Sequence, residues 1–225
     1  MARILNLETA TTNCSVSIAE HGEVVALIEE NTPNYSHSEQ LHLFIEEALK
    51  GASFVFSDLD AIAVSKGPGS YTGLRIGVSA AKGLCFSLDL PLIAIPTLES
   101  MANQITAEEN SIIIPVLDAR RMEVYSCVFN NRHQEIRETR AEIIDESSFS
   151  DYLGYEKVYL VGSGAGKCEE TLQSPNFLFQ KDIIPSSKEM AKLAYEKFNN
   201  NDFENVAYFE PFYLKDFVLQ GKKQG

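Results

Sequence analysis

Two carboxylates stand at matched places in the chain. Glu8 closes the apolar run Ile4–Leu7, and Asp118 closes Ile112–Leu117. A polar turn and a second strand-like stretch follow each of them. Segments 5–18 (LNLETATTNCSVSI) and 115–128 (PVLDARRMEVYSCV) align without gaps at an offset of 110 positions. Acids at two such hairpins, facing each other across a cleft, are placed to hold Mg2+ and grip phosphates. Thr11 in the first turn and Arg120 in the second would stand beside the anion. Two features oppose this reading. Neither ETATTN nor DARRME contains a glycine, which a hairpin that closes on a phosphate usually needs. Arg120 and Arg121 can equally pair with surface acids.

Other chemistries leave less. The run GPGSYTG at Gly67 sits between a strand and a helix, where backbone N–H groups can bind an anion. A Walker loop needs Lys and Ser or Thr directly after its last glycine, and here Leu74 and Arg75 follow. A tight strand-to-helix turn explains the same glycines. His37 opens a helical stretch, but a helical metal pair needs a second His four residues on, and position 41 is Leu. His42, five residues on, points about 140° away. GSGAGK at Gly162 lacks dinucleotide-loop spacing and reads as a strand–helix connection. Ser70 is not in a nucleophile elbow.

The elements that must position these residues follow from periodicity. Strands are expected at Ile4–Glu8, Cys14–Ile18 and Val24–Glu29, as a meander of hairpins. A helix follows from Ser38 to Lys50, with Ser36 and Glu39 as capping box and Gly51 as C-cap. Then come a strand at Asp60–Lys66, the glycine loop, a helix at Gly73–Leu88 capped by Ser70 or Thr72, a strand at Leu92–Ile95, and a short helix from Thr97, its cap, to Thr106. The pattern restarts at Ile112, with strands at Glu123–Phe129 and Glu135–Ile144 and a helix at Asp145–Tyr152. It goes on with a strand at Val158–Val161, a helix at Cys168–Leu172, a strand at Asn176–Phe179 and a helix from Ser186 or Ser187 to Phe198. Each half reads βββαβα. This predicts an α/β protein of two lobes, each a mixed sheet with helices on its outer faces, the plan of the two-lobed actin/Hsp70-like (ASKHA) fold. The lobes are expected at residues 1–106 and 107–207, with 208–225 packing back on the first. The aromatic stretch FEPFYLKDF should pack and QGKKQG should fray.

Composition narrows the partners. With 32 acids against 19 bases the net charge is −13, so the chain is a poor nucleic-acid binder by itself; it could serve nucleic acid through a basic partner, or the acidity serves solubility alone. The four cysteines have no C-x-x-C spacing and fit free thiols in a reducing cytoplasm. MARILNLETA is not a signal peptide, and no apolar run approaches the roughly 20 residues of a membrane span.

The surviving feature is a pair of apolar helices. On the first, Leu41, Phe44, Ile45 and Ala48 form a stripe. On the second, Gly73, Gly77 and Ala81 fall at spacing four beside Leu74 and Val78. The second helix carries only two charges, Arg75 and Lys82. A helix apolar round most of its circumference packs on two sides; its small-residue ridge either lies inside its own lobe or, the reading preferred in a chain of this size, faces another molecule.

The same residues resemble a known family. ILNLETATTNCSVSI, HSEQL, AVSKGPGSYTGLRIGVSAAKGL, PLIAIPTLESMA, LDARRMEVY and EPFYLK are similar to the TsaB (YeaZ) family. The resemblance is dense over residues 3–130 and thinner beyond. It implies a degenerate relative of the catalytic protein TsaD, in the actin/Hsp70-like superfamily. Such a protein supports threonylcarbamoyladenosine formation at position 37 of ANN-decoding tRNAs, together with TsaD and the ATPase TsaE. The catalytic member's H-x-E-x-H metal motif corresponds here to His37-Ser38-Glu39-Gln40-Leu41, which lacks the second ligand. The resemblance thus implies a non-catalytic activator that needs no cofactor, with ATP or ADP admissible where it meets TsaD. It also implies pairing with TsaD, or with a second copy, through the first two helices: His37, Leu41, Phe44, Ile45, Ala48, Gly73, Leu74, Gly77, Val78 and Ala81. Family members have Asp where Glu8 stands. The alternative is an enzyme, a metal-dependent glycoprotease-like peptidase or a weak ASKHA ATPase.

Overall fold

The computed structural model describes residues 2–32 and 37–214. It contains two five-stranded sheets. The first is built from β1 (Arg3–Glu8), β2 (Asn13–Glu20), β3 (Glu23–Asn31), β4 (Ala61–Gly67) and β5 (Leu92–Pro96), in the order β3-β2-β1-β4-β5. β1, β2 and β3 are antiparallel neighbours, and β4 and β5 run parallel to β1. The parallel strands are near-continuous apolar runs because helices cover both their faces. The second sheet repeats the plan with β6 (Ser111–Asp118), β7 (Glu123–Asn130), β8 (Glu135–Ile143), β9 (Lys157–Val161) and β10 (Phe177–Gln180), in the order β10-β9-β6-β7-β8. The repeat read from the sequence is exact in its register at one place: β2 and β7 both start and end 110 positions apart.

α1 (His37–Ala52) and α2 (Tyr71–Leu88) cover one face of the first sheet. Leu41, Ile45 and Ala48 of α1 and Val78, Ala81 and Cys85 of α2 pack there on Leu5, Leu7, Val16, Ile18, Ile62 and Val64. The sheet's second face presents Ile4, Ala61, Ala63, Ile93 and Ile95. These are covered by Met190 and Ala194 of a helix from the far end of the chain, Ser187–Asn199. Conversely α3 (Thr97–Ala102) leaves the first sheet and packs Leu98, Met101 and Ala102 on Ile113, Leu117, Cys127 and Val161 of the second. α4 (Ala165–Thr171) covers that sheet's other face, and the Ser187–Asn199 helix is α5. The spans expected for the lobes, 1–106 and 107–207, therefore each contain a helix that lies on the opposite sheet. Each sheet has two apolar faces, and the helices adjacent to the first sheet in sequence fill only one of them. The exchange is fastened by polar contacts: the Ser15 hydroxyl accepts from Ser187 N (3.0 Å) and donates to the Glu29 carboxylate (2.9 Å), which also takes the Ser186 hydroxyl (2.7 Å).

Several local expectations shift. Gly51 lies inside α1, and the left-handed residue that ends the helix is Ser53 (φ 58°). Thr97 is the first helical residue of α3, which stops at Ala102, and Pro96 holds the cap position. The helix expected at Asp145–Tyr152 shrinks to turns and a single 3-10 turn at Ser150–Tyr152. α4 starts three residues before the expected Cys168. Ser70 and Ser186 are N-caps, each hydroxyl accepting from a backbone N–H at 3.3 Å. The Ser36 cap lies outside the described residues.

The stretch after α5 returns along α2. Glu204 bridges Leu92, Lys82 donates to the carbonyls of Ala207 (3.2 Å) and Phe209 (2.8 Å), and Phe212 N donates to the Lys66 carbonyl (2.7 Å). The Tyr213 ring lies 4.9 Å from that of Tyr71. Residues 215–225, with the stretch expected to fray, lie outside the described residues.

Candidate functional site

The ridge Gly73, Gly77 and Ala81 faces inward. All three are buried, as are Leu74 and Val78. A Cβ on Gly73 would lie 2.1 Å from the Thr9 carbonyl oxygen, and one on Gly77 would lie 2.3 Å from Thr9 Oγ1. The Thr9 hydroxyl donates to the Gly73 carbonyl at 2.8 Å. The small residues therefore let α2 sit down on the chain's own β1–β2 turn, and their assignment to a partner surface is corrected. The same holds on α1. Leu41, Ile45 and Ala48 are core residues, and Phe44 is partly buried against the same core. His37 is buried, and its Nε2–H donates to the Thr11 carbonyl at 2.6 Å. It fastens the start of α1 to the first hairpin.

The opposite side of α2 is open. A groove of about 730 Å³ runs along it, lined by Ser38 and His42 of α1 and by Arg75, Ile76, Ala80 and Leu84 of α2, among others. Ser79, Gly83 and Ser87 also line it, at spacing four, and a Cβ on Gly83 would meet nothing within 4 Å. This is the small-residue ridge that another backbone could approach. Phe86 is 85% exposed and Leu43 57% exposed, beside helices whose inner faces are fully packed. The sequence expectation placed the open small-residue ridge on the face of α2 that is buried. The available signal was Ser79–Gly83–Ser87, a second small-residue series one-third of a turn from the first.

The two hairpin acids do matching work at different depths. Glu8 Oε1 accepts from Ala10 N at 2.6 Å, and Asp118 Oδ1 accepts from Arg120 N at 2.6 Å. In each case the acid caps its own turn two residues on. Glu8 is fully buried. Burial pushes its carboxyl up to about 7, against hydrogen bonds from Ala10, Ser65 and Thr9 that hold it down. The glycine loop closes over it: Ser70 N donates to the Ala10 carbonyl at 2.7 Å, and a Cβ on Gly69 would lie 2.4 Å from that oxygen. Glu8 is thus walled in by its own turn. Thr11 is partly buried and its Oγ1 accepts from Asn13 N at 3.4 Å. Asp118 and Arg120 are exposed.

A residue that sequence reasoning passed over completes the second hairpin. Lys167, the last residue of GSGAGK, places its Nζ 2.9 Å from Asp118 Oδ1, 2.6 Å from the Arg121 carbonyl and 3.1 Å from the Glu123 carbonyl. Ser163 of the same loop accepts from Asp118 N at 3.1 Å. The glycines permit this closeness: a Cβ on Gly164 would lie 3.2 Å from the Val116 carbonyl oxygen. Among the described residues no group of three or more His, Cys, Asp or Glu is placed to hold a metal ion, and no helix is long and apolar enough to cross a membrane.

Comparison with known proteins follows the same lines. A family model described as TsaD, tRNA N6-adenosine threonylcarbamoyltransferase, matches residues 32–222. The tRNA threonylcarbamoyladenosine biosynthesis protein TsaB of Escherichia coli (strain K12) is 31% identical over 234 residues, covering 99% of each chain. A tRNA N6-adenosine threonylcarbamoyltransferase of Bacillus thuringiensis (strain Al Hakam) is 29% identical over 98% of this chain but only 62% of its own length. Among solved structures, an uncharacterized protein with similarity to peptidase YEAZ from Pseudomonas aeruginosa superposes with a TM-score of 0.82 at 25% identity, covering 96% of this chain and 100% of that one.

Proposed function

This chain belongs to the TsaB family of tRNA threonylcarbamoyladenosine biosynthesis proteins, and on that premise we propose that it is the non-catalytic partner subunit of a TsaD-containing complex. In this reading TsaD carries the chemistry at adenosine 37 of ANN-decoding tRNAs, and this chain holds TsaD in its active arrangement. TsaE joins the same assembly. The work is cytoplasmic, where tRNA is modified.

The observation that carries the proposal is the open face of α1 and α2. It offers an apolar groove, a ridge of Ser79, Gly83 and Ser87, and an exposed Phe86, on helices whose inner faces are packed into the core. Helices with such a ridge admit a second helix pair at close distance. A TsaD related to this chain would present corresponding helices, and a second copy of this chain would compete for the same face. A net charge of −13 leaves the tRNA backbone to the partner. ATP or ADP, where it takes part, would sit at the boundary with TsaD and not at the two hairpins, whose acids already cap their own turns.

Mixing the purified chain with its cognate TsaD on a sizing column tests this. A 1:1 species that forms at the expense of any homodimer supports it. Separate elution at micromolar concentrations of both proteins sinks it.

A further inference from the structure

The two-lobed fold implies a Mg-nucleotide held between the hairpin acids, and the residues here do not fit that group. At the first hairpin, the loop at Gly69 and Ser70 lies directly on Ala10, and Glu8 is closed off from any ligand. At the second hairpin, the carboxylate that would face a cation already has one. All three Lys167 ammonium protons have acceptors: Asp118 Oδ1 and the carbonyls of Arg121 and Glu123. The Lys167 side chain is only 13% exposed. This is the donor set of a small cation site, one carboxylate and two turn carbonyls, filled from inside the chain.

We infer that the Lys167 ammonium is a built-in cation that orders the β6–β7 turn and makes it independent of metal and nucleotide. The turn needs such a fastening. Arg120 and Arg121 are consecutive non-glycine residues in the left-handed region, with φ of 70° and 50°. Side chains there cost backbone energy that surrounding contacts must offset. Closing the turn aims the carbonyls of Arg121 and Glu123 at one point, and two convergent carbonyls beside a carboxylate repel one another without a positive charge between them. Lys167 supplies that charge from α4, 49 positions along the chain from Asp118, and Ser163, in the loop before α4, holds the backbone of Asp118. GSGAGK, which reads in sequence as a strand–helix connection, is the holder of the hairpin. Lys167 acts through the turn and is a positioning residue.

Amide hydrogen exchange across the turn tests the inference. The reporters are Ala119, Arg120 and Glu123, whose N–H groups bond to the Glu123 carbonyl, Asp118 Oδ1 and the Arg120 carbonyl. Ile113 and Ile114 of the β6 core report whether the variant has kept its fold. In Lys167→Ala the three turn amides should exchange at least tenfold faster with the β6 amides unchanged. Propylammonium chloride should slow them again, whereas sodium chloride at the same ionic strength and neutral propanol should not. In the unaltered chain, millimolar Mg2+ with ADP should leave the three amides as they are. The inference is overturned if Lys167→Ala leaves the turn protected. It is equally overturned if the loosened turn ignores propylammonium, since stem packing and not charge would then be the cause, or if Mg2+ with ADP tightens the turn of the unaltered chain.

Discussion

The hydroxyl of Thr9 donates to the carbonyl of Gly73 at 2.8 Å, which ties the first hairpin to the second helix of the fold. Gly73 and Gly77 exist for this contact, because any side chain at either position would enter the space of Thr9. α2 is therefore a helix with two different small-residue faces. One seats it on its own sheet, and the other is open to solvent.

Two glycines on the same helix should respond in opposite ways. Gly77→Ala places a methyl group 2.3 Å from Thr9 Oγ1 and should destabilise the monomer by about 2–3 kcal/mol. Gly83→Gln places a side chain in open space and should stabilise the monomer by about 0.5–1 kcal/mol, since glycine is a poor helix residue. Urea denaturation of the two variants checks both signs. Equal destabilisation would mean that the faces of α2 are misassigned.

Pairing should depend on the outer face alone. Gly83→Gln and Ser79→Arg both fill the open groove and should weaken association with TsaD at least tenfold while the melting temperature does not fall. Titration calorimetry gives the affinity and a thermal melt controls for folding. Undiminished affinity in both variants would move the interface elsewhere.

Buried Glu8 predicts a pH dependence of stability. Its carboxyl rises from 4.5 to about 7 on folding, so the folded state prefers the protonated form. The stability from this group is fully present below about pH 4.5 and is lost as pH rises through 7. The shift corresponds to about 3 kcal/mol. Glu8→Gln keeps an acceptor for Ala10 N and cannot ionise. Its stability relative to the unaltered chain should therefore grow between pH 4.5 and 7 and level off above. A difference that stays flat across this range would mean that Glu8 is not closed off from solvent.

The seam between the sheets should weaken at Ser15. Ser15→Ala leaves Ser187 N without its acceptor in a buried place, at a cost of about 1–3 kcal/mol. Hydrogen exchange should show the loss first in α5 and only later in α1. Uniform loosening of both helices would argue against a local seam.

Much of this fold is legible in the sequence, and the reasons are local. The strands at Ile4–Glu8 and Ile112–Leu117 announce themselves as apolar runs ending in an acid, and Ser70 and Ser186 cap helices as their types predict. What the sequence leaves ambiguous is non-local. Gly73–Gly77–Ala81 and Ser79–Gly83–Ser87 are both small-residue series at spacing four, and only the position of Thr9 tells which one lies inside. Lys167 lies far from Asp118 in sequence, so nothing in its neighbourhood reveals that it closes the hairpin. The exchange of α3 and α5 between sheets is invisible for the same reason: each helix shows an apolar stripe but not the sheet it will cover.

The central claim is that this chain is needed for a modification it does not itself perform. The direct measurement is threonylcarbamoyladenosine formed on an ANN-decoding tRNA by cognate TsaD and TsaE, with this chain omitted, added, or added as Gly83→Gln. The account predicts product only with the unaltered chain, little with Gly83→Gln, and none from the chain without TsaD. Equal product without this chain, or product from this chain alone, would contradict it.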